Sequence, residues 1–115
     1  TLIILNDPPY GTERCYNGLR LAHALLKADA ANAVTVFLMA DALLAAKAGQ
    51  KTPDGYYNIE RMLKRVIAGK GDVLLCGACM DARGLSELEM MQGARRSAMD
   101  ELAAATIAAD KVLVF

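Results

Sequence analysis

Apolar residues run consecutively at positions 2–5, 34–39, 73–76 and 112–115, broken only by Thr35. A strand with one wet face would alternate, so these runs predict strands covered on both sides. Between them the spacing changes. Cys15, Leu19, Ala22, His23 and Leu26 recur at threes and fours and predict a helix entered near Thr12 and Glu13. Positions 58–68 put Ile59, Met62, Leu63, Val66 and Ile67 on one helical face, with Glu60, Arg61, Lys64 and Arg65 expected mostly opposite. Further helices are expected at 42–48, closed by Gly49, from about Ala78, and through the alanine-rich stretch 99–109. The segment 92–97 is ambiguous and has room for one short strand.

Strands alternating with helices predict an α/β domain, a parallel sheet with helices packed over it. Right-handed crossovers then bring every strand-to-helix loop to the carboxyl edge of the sheet, where open parallel sheets bind their ligands. The residues delivered there are Asp7 and Tyr10 after the first strand, Asp41 after the second, and Cys76 and Cys79 after the third. Pro53 and Gly55 mark a turn before the helix at 58–68. That helix is about 16 Å long, enough to return along one strand, so Tyr56 is expected at the same edge.

Composition narrows the possibilities further. A chain of 115 residues is one domain, 1–115. With 55% apolar residues, 5% aromatics and no Trp, its core is aliphatic and rich in Ala. Thirteen basic residues balance thirteen acidic ones, so no basic surplus points to nucleic acid or a membrane surface as partner. No apolar stretch approaches the roughly 20 residues of a membrane span, and no basic-then-apolar leader pattern is visible. Three cysteines, an odd number without a loop-rich frame, predict reduced thiols and a cytoplasmic protein. Neither GxGxxG nor GxxxxGK[ST] occurs, so nucleotide hydrolysis and dinucleotide redox chemistry lack support and no cofactor is expected.

The chemistry concentrates in CGACMDARG at 76–84. Cys76 is expected where a strand meets a helix N-terminus, whose unpaired N–H groups favour an anion and should lower the thiol pKa. Gly77 allows a tight turn and is expected to keep the sulfur accessible to solvent, Arg83 could fold back toward an anionic sulfur, and Asp81 opposes it. Cys79, in the first helical turn, can reach Cys76 if the rotamers agree. The alternatives are several. Two small cysteines also suit a core, and Cys15 reads as core. Zinc wants four ligands, and Cys15 and His23 stand about 12 Å apart along one helix, so no metal site is expected. A thioredoxin frame is disfavoured, because the motif lies late in the chain and no proline follows Pro53. A redox pair in another frame remains open, as does an oligomeric module that binds a small ligand without catalysis.

The segments LNDPPYGTERCYNGLRLA, VFLMADA, TPDGYYNIERML, CGACMDARGL and ADKVLVF together resemble the DsrE/DsrF-like family, specifically its YchN-like branch. The resemblance spans nearly the whole chain. It implies a Rossmann- or flavodoxin-like three-layer α/β/α domain with a parallel sheet of about five strands, the missing one falling in 92–97. It also implies a sulfur relay, in which a cysteine carries sulfane sulfur as a persulfide between donor and acceptor proteins. In the sulfur-transfer branches that cysteine begins a Cys-x6-Arg-Gly arrangement, which Cys76, Arg83 and Gly84 match and Cys79 does not. Cys76 is thus the expected carrier and Cys79 its helper. Asp7, Tyr10, Asp41, Tyr56 and Arg83 are expected in support. Trimers or hexamers are implied too, in keeping with the apolar termini and the alanine-rich helix.

Overall fold

The computed structural model describes all of residues 1–115. Five parallel strands form one sheet: β1 (Leu2–Leu5), β2 (Thr35–Leu38), β3 (Asp72–Cys76), β4 (Ala94–Ser97) and β5 (Val112–Val114), in the order β4-β3-β2-β1-β5. The helices are α1 (Arg14–Ala28), α2 (Ile59–Ala68), α3 (Gly77–Ala82) and α4 (Met99–Ala108). The short helix expected at 42–48 is instead a 3-10 segment, Ala40–Ala46. Its entry residue explains the earlier start: Ala40 takes φ +47°, a left-handed turn that brings the chain straight off β2. The ambiguous stretch supplies β4, an edge strand whose exposed Arg95 and Arg96 hide it from a search for apolar runs.

The two sheet faces are unequally covered. On one, Ile3, Leu5, Val36, Leu38, Val73 and Leu75 pack under α1, α2 and the 3-10 segment through Leu19, Leu43, Ile59, Leu63 and Val66. On the other, Leu2, Phe37, Leu74 and Cys76 meet Leu102 of α4 and little else. That thin second layer leaves Val112, Val114 and Ile107 exposed.

Helix entries differ from one another. Asn58 caps α2 by accepting from Arg61 N at 3.0 Å and ties the preceding loop through Nδ2 to Gln50 O at 3.0 Å. At α1 the expected Thr12/Glu13 entry is not a cap. Glu13 makes no side-chain cap bond, and the Thr12 hydroxyl donates to Asp7 Oδ2 at 3.2 Å. Glu60, expected on the wet face of α2, is buried and accepts from Gln50 N at 2.8 Å and Lys64 Nζ at 2.6 Å. Burial would raise its pKa, but Lys64 and the N–H groups of Gln50 and Gly49 together hold the carboxyl below its ordinary value.

Candidate functional site: a paired thiol at the carboxyl edge

β3 ends on Cys76 and α3 begins at the next residue, so no loop separates strand from helix. Cys76 is therefore both the last residue of a central strand and the N-cap of α3. Its Sγ accepts from Cys79 N at 3.4 Å. Cys79 Sγ, one turn along, donates to the same sulfur at 2.7 Å and itself accepts from Ala40 N at 3.4 Å. All three cysteines are free. Ala40, left-handed at φ +47°, thus offers its N–H to the second sulfur.

Solvent access and ionisation run against expectation. Cys76 is 7% exposed and Cys79 half-buried. Burial, and then the neighbouring Cys79 thiol, push the Cys76 thiol above its ordinary value. N–H groups of Cys79 and Ala78 pull the other way without cancelling them. The expected lowering by the helix end is therefore corrected. A helix of six residues offers two N–H donors, and desolvation outweighs them.

Charged side chains frame the thiols. Arg83 does not turn to a sulfur: Nε and Nη2 donate to Asp41 Oδ1 at 3.0 and 2.9 Å, and Nη1 to Cys79 O at 3.1 Å. Asp41, Arg83 and Cys79 are thereby one connected group. Asp81 does not compete for Arg83. It takes both Nη atoms of Arg96, at 2.9 and 2.7 Å. Arg96 is the residue that sequence reasoning missed. Its guanidinium lies over Gly77, where an added Cβ would stand 2.8 Å from Nε. Its pKa is held up first by Asp81, with Glu87 and Cys76 adding to the effect. A basic residue in a strand paired Cys76↔Ser97 was the available signal, hidden because the strand itself was uncertain.

The remaining expected residues gather elsewhere. Asp7 binds Thr12 and stands 3.6 Å from Arg14 Nε, while its carbonyl accepts from buried Cys15 at 2.9 Å. Burial, then the Asp7 charge, push the Cys15 thiol up to about 12, so it is inert. His23 donates Nε2–H to Met62 O at 2.8 Å, since a carbonyl can only accept. Tyr10 donates to Gln50 Oε1 at 2.6 Å, accepts from Ile59 N at 3.1 Å and stacks on Tyr57. Tyr56 is exposed beside it, in a hollow of about 430 Å³. Neither Cys76 nor Cys79 borders any of the surface cavities.

The chain is 43% identical to protein YchN of Escherichia coli K12 over 114 residues, covering 99% of this chain and 97% of that one. It is 36% identical to protein MJ0989 of Methanocaldococcus jannaschii, covering 98% and 96%. The crystal structure of E. coli YchN superposes with a TM-score of 0.93 at 42% identity, over 100% of this chain and 98% of that one. Protein MTH1491 of Methanobacterium thermoautotrophicum, described as of unknown function, shares the fold alone. Its TM-score is 0.80 at 8% identity, over 99% of this chain and 97% of that one. No helix is long and apolar enough to cross a membrane. The DsrE/DsrF-like family matches residues 1–115, and to that family this chain belongs.

Proposed function

We propose that the protein carries sulfane sulfur as a persulfide on Cys76 and hands it to a partner. The observation that supports this most is the Cys76–Cys79 contact of 2.7 Å at the carboxyl edge, with backbone N–H groups on both sulfurs. In loading, a Cys76 thiolate attacks the outer sulfur of a donor persulfide. The S–S bond to the donor breaks, the donor leaves as a thiolate, and Cys76 holds the new S–SH group. In delivery, an acceptor thiolate takes the outer sulfur and Cys76 departs as a thiolate. Where no acceptor arrives, a Cys79 thiolate attacks the inner sulfur, closing a Cys76–Cys79 disulfide and expelling hydrosulfide.

The raised Cys76 pKa makes this carrier slow to load until its proton is removed. Loading should still climb with pH beyond 9.0, the ordinary thiol value. Incubation with a cysteine desulfurase and cysteine, followed by peptide mass mapping, tests the assignment. Added sulfur is expected on Cys76 in Cys79→Ser, which cannot resolve it, a Cys76–Cys79 disulfide with released hydrosulfide beside it in wild type, and no added sulfur at this site in Cys76→Ser. Normal loading of Cys76→Ser sinks it.

The same contact favours a second reading, a thiol–disulfide exchange protein, which a redox titration separates. A reversible internal disulfide without any persulfide under donor supports it. The exposed Val112, Val114 and Ile107, over a sheet face covered by one helix, support a homo-oligomer, a trimer or hexamer. A monomer by light scattering at micromolar concentration contradicts that. Three free thiols suit the reducing cytoplasm.

A further inference from the structure

The arginines divide sharply. Arg14, Arg83, Arg95 and Arg96 each have a carboxylate within ion-pair reach. Arg20, Arg61 and Arg65 have none, and all three border one cavity of about 360 Å³ between α1 and α2. An adjoining hollow along the same helices, of about 340 Å³, adds Lys27 and shares His23 and Arg65. No Asp or Glu borders either.

All three side chains are exposed, and the groove they share is positive. Arg61 and Arg65 are four apart on one helix, where like charges repel. Arg20 faces them from α1, its guanidinium 5.5 Å above the Tyr16 ring. Elsewhere the protein neutralises each arginine; here it concentrates three.

Aromatic rings complete the cavity. Tyr16 stacks on Tyr57 at 4.4 Å between centroids, whereas Tyr56 is 71% exposed. Guanidinium groups bind phosphate through paired N–H donors. An exposed tyrosine offers a face to a planar ring. The volume suits a small metabolite.

We propose that the α1–α2 groove binds a phosphate ester bearing a planar ring, of the nucleoside phosphate class. Arg20, Arg61 and Arg65 hold the phosphates and Tyr56 stacks on the ring. Binding here needs no glycine-rich loop, because side chains rather than backbone N–H groups supply the donors. The assignment is of binding, independent of the thiols.

Isothermal titration of the full chain with ADP and with pyrophosphate tests it. Both probes should saturate one site. Arg61→Gln/Arg65→Gln should weaken both by about tenfold, and Arg20→Gln, on the opposite wall, should weaken both without touching α2. Tyr56→Ala should weaken ADP by about fivefold and leave pyrophosphate unchanged. Thermal melts of each variant check that the fold is kept. No saturable binding of either probe at millimolar concentration overturns the proposal. So does unchanged affinity in the arginine variants, or binding of an Asp/Glu-rich peptide by a groove that ignores both phosphate probes.

Discussion

Oxidation of the paired thiols gives the most direct test of the site geometry. The two Sγ atoms are 2.7 Å apart and a disulfide needs about 2.05 Å, so closure asks for a movement of under an ångström. The loop so closed, Cys76 to Cys79, is short, and chain entropy alone would stabilise the bridged form by only about 1.9 kcal/mol. Against this, the Cys76 sulfur now accepts the Cys79 N–H at the start of α3, and bonded sulfur accepts poorly. Weakening such a cap costs about 1 kcal/mol. The net is about 1 kcal/mol in favour of the bridge. For a domain of this size that raises Tm by about 4 °C. The assay is diamide treatment at micromolar protein, thiol counting under denaturing conditions, and calorimetry with and without reductant. One free thiol, Cys15, should remain, with no disulfide link between chains under denaturing conditions, and the oxidised protein should melt slightly higher. Three thiols remaining after oxidation, or a bridged form melting well below the reduced one, would refute the pairing.

Gly18 of α1 sits where a Cβ would meet Leu5 Cδ2 at 2.6 Å and the Phe115 ring at 3.3 Å, so Gly18→Ala overpacks a buried contact. Overpacking by about 1–3 kcal/mol outweighs the gain of about 0.4–1 kcal/mol from a stiffer unfolded chain, and the urea midpoint should fall. Asn58→Ala removes the α2 cap and the tie to Gln50 and should cost about 1–2 kcal/mol by urea denaturation, with an unchanged m-value. Arg95, then Ser97, hold Glu101 at about 2 against an ordinary 4.5. A carboxyl lowered by folding stabilises above its unfolded value and loses that contribution as pH falls toward its folded one. Glu101→Gln should therefore flatten the decline of Tm between pH 4.5 and 2, and parallel curves for variant and wild type would exclude the effect.

Much of the architecture was legible because its causes are local. Runs apolar at successive positions announce doubly covered strands, and the α2 pattern was right to within a residue because one face of that helix is almost wholly aliphatic. β4 was obscured for the same reason in reverse. As an edge strand it pairs through its backbone with β3 on one side only, so Arg95 and Arg96 stay in solvent and leave no apolar signature. The site was half legible. The spacing of Cys76 and Cys79 and the strand-to-helix junction put the two sulfurs within reach, and the rotamers bring them to 2.7 Å. Arg83 found Asp41 rather than sulfur, because it is the C-cap of α3 and within reach of the 3-10 segment that carries Asp41.

The sequence alone determined the parallel α/β layering, the carboxyl-edge position of the thiols and their one-turn spacing, since each follows from periodicity or from one helical turn. Tertiary structure decided the rest. The burial of Cys76 beneath the α4 face sets the direction of its pKa, and desolvation is a sum over neighbours far apart in the chain. The placing of Arg96 over Gly77 required the β3–β4 register. The gathering of Arg20, Arg61 and Arg65 into one groove required two helices, forty residues apart in the chain, to pack side by side, and charge has no range along a sequence, only through space.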